Sequence, residues 1–135
     1  MKAFRWTLIV LSVVPLVTGA VDLVFGAAAV QLLGTELPES GLLDPTLNSQ
    51  LRFFGAIWIG YGAALLWIAK DPVSRAEPFR LLAAFLVLSG FGRLLSMAQF
   101  GPPAAPLIVA MFVEVVAVPL LAWWHRVLVR RARQP

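Results

Sequence analysis

Long apolar runs separated by short polar segments dominate the pattern of this chain. Four of these runs extend over about residues 4–30, 45–69, 79–100 and 106–124. A helix needs about 20 mainly apolar residues to cross the hydrocarbon core of a bilayer, and each run has about that length. The segments between the runs are rich in Gly and Pro, which favour turns. The pattern predicts an all-α fold, a four-helix transmembrane bundle in which residues 1–135 form a single integral membrane domain.

The first run permits two interpretations. It follows the basic residues Lys2 and Arg5 and ends in small residues near Ala27, and a signal peptide has the same layout. We favour a retained helix because the run is long enough to span a bilayer. Small and polar residues recur along it at a spacing of three or four, so we expect one face to pack against other helices. These residues are Ser12, Pro15, Gly19, Asp22 and Gly26.

The second run has the features of a helix that packs closely on its neighbours. Asp44 followed by Pro45 is typical of a helix N-cap with a proline in the first turn. Small residues recur every four positions, and stripes of this kind let two membrane helices approach each other closely. The stripe consists of Ala56, Gly60 and Ala64, with Gly55 and Gly62 beside it.

The composition supports a membrane protein and indicates its orientation. Hydrophobic residues make up 60% of the chain and charged residues 13%, which lies outside the range of soluble domains. Apart from Arg52 and Arg93, the basic residues all fall on one side of the four-helix topology, and such residues mark the cytoplasmic side. Both termini are therefore expected to be cytoplasmic. The residues on that side are Lys2, Arg5, Lys70, Arg75, Arg80, Arg126, Arg130, Arg131 and Arg133.

The same sequence argues against several classes of function. The absence of Cys excludes disulfides, thiolate metal sites and thiol catalysis. His125 is the only histidine, so no histidine cluster exists for a metal, and we expect an ordinary residue at the membrane boundary. The basic residues flank the spans instead of forming a soluble basic face, so we expect no nucleic acid partner. No catalytic motif is present, and we expect no metal, no cofactor and no catalytic residue, which favours a protein without enzymatic activity.

Charged and polar residues inside the apolar runs form the candidate site. An unpaired charge in hydrocarbon is costly, so intramembrane ionisable residues usually pair. Arg93 and Glu114 lie at similar distances from a hinge near Pro102, which predicts a direct pair between the third and fourth helices. The two acids Asp22 and Glu114 balance the two bases Arg52 and Arg93, so these residues together carry no net charge. The predicted cluster consists of Asp22, Arg52, Arg93, Ser96, Gln99 and Glu114.

Three roles for this cluster stay open. Charge pairs can act as a structural lock that fixes the register of the helices. Alternatively, the cluster forms a binding pocket, since the planar guanidinium of arginine binds carboxylates and phosphates through two hydrogen bonds. A proton or ion relay is the least favoured role, because it requires an acid that takes up a proton and the nearby arginines oppose this.

Motifs distributed over nearly the whole chain resemble the bacterial DUF4345 family. They are Pro15 with Gly19, the run LRFFGAIWIGYG at residues 51–62, the run FGRLLS at residues 91–96, Gly101 with Pro102, and Glu114. The resemblance implies a small four-helix integral membrane protein, and we expect the chain in the bacterial inner membrane. It carries over Arg52, Arg93, Ser96 and Glu114 as motif positions and implies no activity.

Two functions from different classes fit these observations, and we favour the first. The first is an accessory or scaffold subunit that packs within a larger membrane assembly or a homo-oligomer, which suits a chain with small-residue stripes and little mass outside the spans. The second is a protein that binds a lipid or a small amphiphile in the polar cluster, either as a binding protein or as an enzyme. The lipid bilayer is the expected environment in both cases.

Overall fold

The computed structural model describes residues 1–134, and nearly all of them are helical. This part of the chain contains a short 3-10 helix, Gly26–Leu33, that continues the first α-helix, and a π-helical turn, Val113–Ala117, that joins the last two. No β-strand occurs among these residues. The α-helices are α1 (Lys2–Phe25), α2 (Glu39–Leu42), α3 (Pro45–Lys70), α4 (Ala76–Phe100), α5 (Ala105–Phe112) and α6 (Val118–Arg133).

Four helical segments are long and apolar enough to cross a membrane. They are Lys2–Leu33, Pro45–Lys70, Ala76–Phe100 and Ala105–Arg133. The predicted all-α fold with four candidate transmembrane helices is therefore confirmed. The side of the membrane on which the termini lie stays a prediction.

The last helix continues beyond the predicted end at Trp124 and reaches Arg133. No Gly or Pro occurs between these two residues, so nothing in the sequence interrupts the helix there. Basic residues in the last turn also interact favourably with the helix dipole. The limit of the apolar run therefore marked a change in composition within one helix and did not mark its end.

The residue contacts divide the chain into two compact units, and we name them by position. The N-terminal unit is Arg5–Ala69, and the C-terminal unit combines Met1–Phe4 with Lys70–Pro135. The prediction of a single domain stays a prediction, and each unit is described by itself.

Close packing of α1 on α3 organises the N-terminal unit. A Cβ atom added at Gly19 would lie 2.7 Å from the carbonyl oxygen of Gly55, and one added at Gly55 would lie 2.7 Å from that of Gly19. One added at Gly62 would lie 2.7 Å from Leu16 Cγ. Glycine is therefore required wherever the two backbones meet, because any side chain would separate the helices.

The predicted packing face of the first helix is confirmed. Ser12, Pro15, Gly19 and Gly26 are buried, and Asp22 is half-buried. On α3, Gly55 and Gly62 provide the contact, whereas Ala56 and Gly60 from the predicted small-residue stripe are exposed.

The junction between α1 and α3 depends on Asn48. Gly26 ends α1 with a φ of 57°, a left-handed conformation that glycine adopts readily. The side-chain oxygen of Asn48 accepts a hydrogen bond from the Ala27 N–H (3.1 Å), and its amide donates to the carbonyl oxygens of Leu42 (2.8 Å) and Asp44 (3.0 Å). This single side chain ties the start of α3 to the end of α1.

Asp44 is the N-cap of α3, as its position before Pro45 predicted. Its Oδ1 accepts a hydrogen bond from the Leu47 N–H at 2.6 Å. The bond satisfies one of the donors that every helix start leaves without an intrahelical partner.

Aromatic packing around His125 organises one end of the C-terminal unit. The His125 ring is 1% exposed and stacks on Phe4, with ring centroids 4.9 Å apart. Phe79 and Trp124 complete the group through edge contacts with Phe4. His125 Nε2 lies 2.8 Å from the carbonyl oxygen of Pro72. His125 is thus a buried residue that fixes the turn before α4 to α6. We expected an ordinary residue at the membrane boundary, and this expectation did not include its burial or its aromatic contacts.

Candidate functional site

Arg93 on α4 and Glu114 on the π-helical turn form the centre of the candidate site. The Arg93 Nε–H is shared between both carboxylate oxygens of Glu114, at 3.2 Å from Oε1 and 3.0 Å from Oε2. Glu114 is 4% exposed, whereas 35% of the Arg93 side chain is exposed. The carboxylate is therefore enclosed, and the guanidinium lies at the opening.

The wide turn around Glu114 has its cause in Pro119. Proline has no N–H, and its ring would collide with the carbonyl of residue 115 in a regular α-helix. The chain responds with a π-helical turn in which the Val118 N–H donates to the carbonyl oxygen of Val113. Pro119 has no N–H with which to donate the next π-helical hydrogen bond, to the carbonyl oxygen of Glu114. Turns of this type frequently occur at functional sites.

Gly90 allows α4 to approach this turn. A Cβ atom added at Gly90 would lie 2.9 Å from the Cβ of Glu114 and 2.7 Å from a methyl carbon of Val115. Real Cβ atoms do not approach this closely, so a side chain here would push the turn away from α4. Gly90 lies one turn before Arg93 and thereby sets the distance between the two charged groups.

The two terminal amino groups of Arg93 make no hydrogen bond with residues 1–134. A guanidinium has five N–H donors in a rigid plane, and Glu114 occupies the single donor on Nε. The edge formed by Nη1 and Nη2 can bind a carboxylate or a phosphate through two parallel hydrogen bonds. The site therefore combines one arginine edge that is held in place with another that is available to a guest.

Ser96 and Gln99 follow Arg93 on α4, and both are exposed. Neither side chain hydrogen bonds to Arg93 or Glu114 in this structure. They can supply hydroxyl and amide groups along the same helix, beyond the charged pair.

Arg52, in the N-terminal unit, has different partners. Its Nη1 donates to the carbonyl oxygens of Leu23 (2.6 Å) and Val24 (2.9 Å), the last turn of α1. Asp22 is half-buried, and it forms no ion pair with Arg52 in the part of the chain that the structure describes. Arg52 therefore caps the end of a helix, where carbonyl oxygens lack donors and the dipole attracts a positive charge.

Sequence reasoning selected the charged residues and, with Pro119 five residues after Glu114, an altered backbone beside the acid. It missed Gly90, which shapes the candidate site, and Asn48, which shapes the end of α1, and neither of them carries a charge. The spacing of Gly90 one turn before Arg93 is the signal in the sequence for the first of these. No group of three or more acidic or histidine side chains among residues 1–134 could hold a metal ion.

Comparison with known proteins identifies the family without assigning an activity. The chain matches no curated protein and no solved structure. Residues 3–125 match a family described as a domain of unknown function, DUF4345, and this match covers nearly the whole chain. Because the match also contains the Arg93 and Glu114 site and extends into all four candidate spans, the chain belongs to the DUF4345 family.

Proposed function

We propose that this membrane protein binds an amphiphile with an anionic headgroup, a carboxylate or a phosphate, at Arg93. The proposal rests on the hydrogen bonding of the guanidinium. Glu114 accepts from Nε, and the two amino groups have no partner among residues 1–134. A donor without a partner is costly away from water, and an acidic headgroup satisfies two of these donors at once.

The enclosed carboxylate of Glu114 gives the arginine a fixed orientation. Guanidinium groups are planar, so a hydrogen bond on one edge determines where the other edge points. Glu114 is held in turn by the π-helical turn and by the close approach of Gly90. Preorganisation of this kind lowers the entropic cost of binding, because the arginine does not have to be ordered by its ligand.

The surroundings of Arg93 favour an amphiphile over a small hydrophilic anion. Phe100 lies two turns beyond Arg93 on the same side of α4 and is 85% exposed. An acyl chain can lie against this side chain while its headgroup binds Arg93. Ser96 and Gln99, also exposed, are suited to additional polar groups of the headgroup.

Arg93→Lys is the decisive variant, because lysine can pair with Glu114 but has no second planar edge. The protein is purified in mild detergent, and amphiphiles that copurify are identified by native mass spectrometry. We expect Arg93→Lys to keep its thermal stability and to retain roughly tenfold less acidic amphiphile than the unmodified protein. Arg52→Lys is the matched control and should leave retention unchanged.

Two results would contradict the proposal. One is equal retention in the unmodified protein and in Arg93→Lys, which would place the amphiphile elsewhere. The other is a purified protein that carries no acidic amphiphile and binds none when oleate or a phosphatidic acid is added.

A second candidate function is that of an accessory subunit, and the exposed stripe on α3 favours it. Ala56 is exposed, and a Cβ atom added at Gly60 would meet no atom within 4 Å. A helix of another subunit could approach this face closely. We expect Gly60→Leu to abolish copurification of a partner subunit or of a second copy while the protein stays folded, with Gly92→Leu on α4 as the control. Unchanged copurification in Gly60→Leu would rule out this face.

The proposed location is the bacterial inner membrane, with both termini in the cytoplasm. The excess of basic residues on one side of the predicted topology supports this orientation. Reporter fusions at Thr35 and Ser74 should give signals from opposite sides of the membrane. Signals from the same side would contradict the orientation.

A further inference from the structure

Four arginines at the end of α6 account for the net charge of the chain. Arg126, Arg130, Arg131 and Arg133 follow Trp124, while the other seven basic residues balance seven acidic ones, leaving a net charge of +4. All four side chains are exposed, and none forms an ion pair or a hydrogen bond within residues 1–134. The end of α6 is therefore a strongly basic surface without an acidic partner among residues 1–134.

The exposed face of α6 changes in chemistry along its length. Leu120 is 61% exposed, Trp123 is 66% exposed, and Arg126 and Arg130 are exposed beyond them. Spacings of three and four residues keep these side chains on one side of the helix. One continuous stripe thus passes from an aliphatic group through an indole to two guanidinium groups.

The opposite face of the same helix is buried. His125 is 1% exposed and Val129 is 6% exposed, so α6 remains packed in the protein well past the tryptophans. Packing on one side fixes the rotation of the helix and directs the arginine stripe outward. The stripe is consequently a constant feature of the fold and does not depend on a mobile tail.

The order and spacing of this stripe match a phospholipid that lies against the helix. Leu120 corresponds in depth to an acyl chain, and Trp123 to the membrane interface that tryptophan prefers. At a rise of 1.5 Å per residue, Arg126 lies about 5 Å and Arg130 about 10 Å beyond Trp123. The headgroup region on each side of the hydrocarbon core is roughly 5–7 Å thick, so Arg126 lies within it. Helical side chains lean toward the N-terminus of their helix, so the long side chain of Arg130 can reach back from beyond this region to the phosphate.

We propose that the stripe formed by Leu120, Trp123, Arg126 and Arg130 is a binding site for an anionic phospholipid, with Arg126 and Arg130 holding the phosphate. This site is separate from the one proposed at Arg93. Arginine binds phosphate through two hydrogen bonds at once, and a net negative headgroup balances the unpaired charge of α6. The predicted cytoplasmic orientation agrees with this, since anionic lipids attract basic residues on that side of the membrane.

The test compares two double variants that remove the same charge. The protein is reconstituted in vesicles of phosphatidylglycerol and phosphatidylcholine, then extracted, and the ratio of the two lipids bound to it is measured by native mass spectrometry. Arg126→Gln with Arg130→Gln should lower the enrichment of phosphatidylglycerol by on the order of tenfold. Lys70→Gln with Arg131→Gln removes the same charge away from the stripe, keeps the proposed phosphate ligands and should lower it much less.

Each other outcome rejects the site. Equal losses in the two double variants would mean that attraction depends on net charge alone and that the stripe has no specific role. No loss in either would mean that α6 does not bind anionic lipid. If inorganic phosphate or an acidic peptide displaces phosphatidylglycerol as effectively as dioleoyl phosphatidylglycerol does, the aliphatic and indole part of the stripe contributes nothing. In the expected result, only the lipid with acyl chains competes.

Discussion

Arg52 and Arg93 make a direct comparison, because each is an arginine inside a candidate membrane span and each was expected beside an acidic side chain. Arg93 reaches a carboxylate, at 3.0 Å from Glu114 Oε2. Arg52 reaches main-chain carbonyl oxygens instead, at 2.6 Å from Leu23 and 2.9 Å from Val24. The end of a helix can therefore take the place of an acidic residue as the partner of an arginine in a candidate span.

The two arginines also differ in what their removal would leave behind. Arg93 is the partner of a formal charge that is 4% exposed, whereas Arg52 serves neutral carbonyl groups beside exposed residues. An isolated buried charge costs far more free energy than an unsatisfied carbonyl. The comparison thus predicts a ranking of effects that mutations can test.

The largest effect is expected for Arg93→Ala. Loss of the partner leaves the enclosed carboxylate of Glu114 alone, which should lower the free energy of unfolding by about 3–5 kcal/mol. Glu114→Ala should cost less, because 35% of the Arg93 side chain is exposed and can reach other partners. The double variant should recover much of the loss. Thermal unfolding in detergent, followed by tryptophan fluorescence, measures all three.

Additive losses in the double variant would contradict the direct pair. Recovery of stability also separates two roles for the pair. A double variant that folds well and still retains the bound amphiphile would make Arg93 and Glu114 a structural lock. One that folds well but loses the amphiphile would make them part of a binding site.

The second prediction compares the helix contacts that support each arginine. Alanine at Gly55 would collide with backbone atoms of Gly19 and Leu23, both at 2.7 Å, whereas alanine at Gly90 would meet side-chain atoms of Val115 and Glu114. The methyl group of Val115 can move aside more easily than backbone can, which leaves the Glu114 Cβ at 2.9 Å as the closest fixed contact at Gly90. We therefore expect Gly55→Ala to lower the free energy of unfolding by about 1–3 kcal/mol, and Gly90→Ala to lower it less.

Gly92→Ala is the control, because a Cβ atom there meets nothing within 4 Å. Alanine is a better helix former than glycine, so this variant should be neutral or more stable by up to about 1 kcal/mol. Equal destabilisation by Gly92→Ala and Gly90→Ala would show that the close approach of α4 to the π-helical turn is not what Gly90 provides.

The third prediction concerns Arg52→Ala, which should lower the free energy of unfolding by about 1–2 kcal/mol through the loss of hydrogen bonds to Leu23 and Val24. Because Arg52 does not pair with Asp22, the double variant with Asp22→Ala should show the sum of the two single effects. Recovery in this double variant, similar to that expected for Arg93 and Glu114, would mean that Arg52 and Asp22 do interact and would remove the contrast between the two arginines.

The sequence was informative where one chemical rule decides the outcome. Apolar runs of membrane length gave the four spans, the pair Asp44 and Pro45 gave the start of α3, and equal distances from the hinge placed Arg93 opposite Glu114. For the spans and the charged pair, alternatives are strongly disfavoured, because neither an exposed backbone nor a lone charge is tolerated in hydrocarbon.

The sequence was less informative where several partners satisfy the same group. The end of α1 offers carbonyl oxygens as acceptors for Arg52, and their availability depends on where Gly26 ends the helix. The same holds for the small residues of α3. Gly55 and Gly62 face α1 while Gly60 does not, a choice set by helix rotation, which residue type alone does not determine.

The smallest effect on stability is expected at Asp71, an exposed acid outside the spans. Asp71 accepts hydrogen bonds from main-chain N–H groups, whereas Arg52 donates to main-chain carbonyl oxygens, so both charges are bound by the backbone. Asp71 Oδ1 accepts from Ser74 N–H (3.2 Å) and Val73 N–H (3.3 Å). Hydrogen bonds from Ser74 lower the pKa of Asp71 below its ordinary value of 3.8. The ionised form is therefore favoured in the folded state, so its stabilising effect is present above pH 3.8 and is lost as the pH falls through the lowered pKa.

Asp71→Asn tests this and closes the ranking, because asparagine keeps the acceptor oxygen and removes only the charge. At neutral pH the variant should unfold at a slightly lower temperature than the unmodified protein, by less than Arg52→Ala does. The difference should disappear in acid, once Asp71 is protonated in the folded protein as well. A difference that persists in acid would show that the charge is not responsible. If Asp71→Asn lowered stability as much as Arg52→Ala does, the location of the charge, in a span or in water, would not matter for a charge that is bound by main-chain groups.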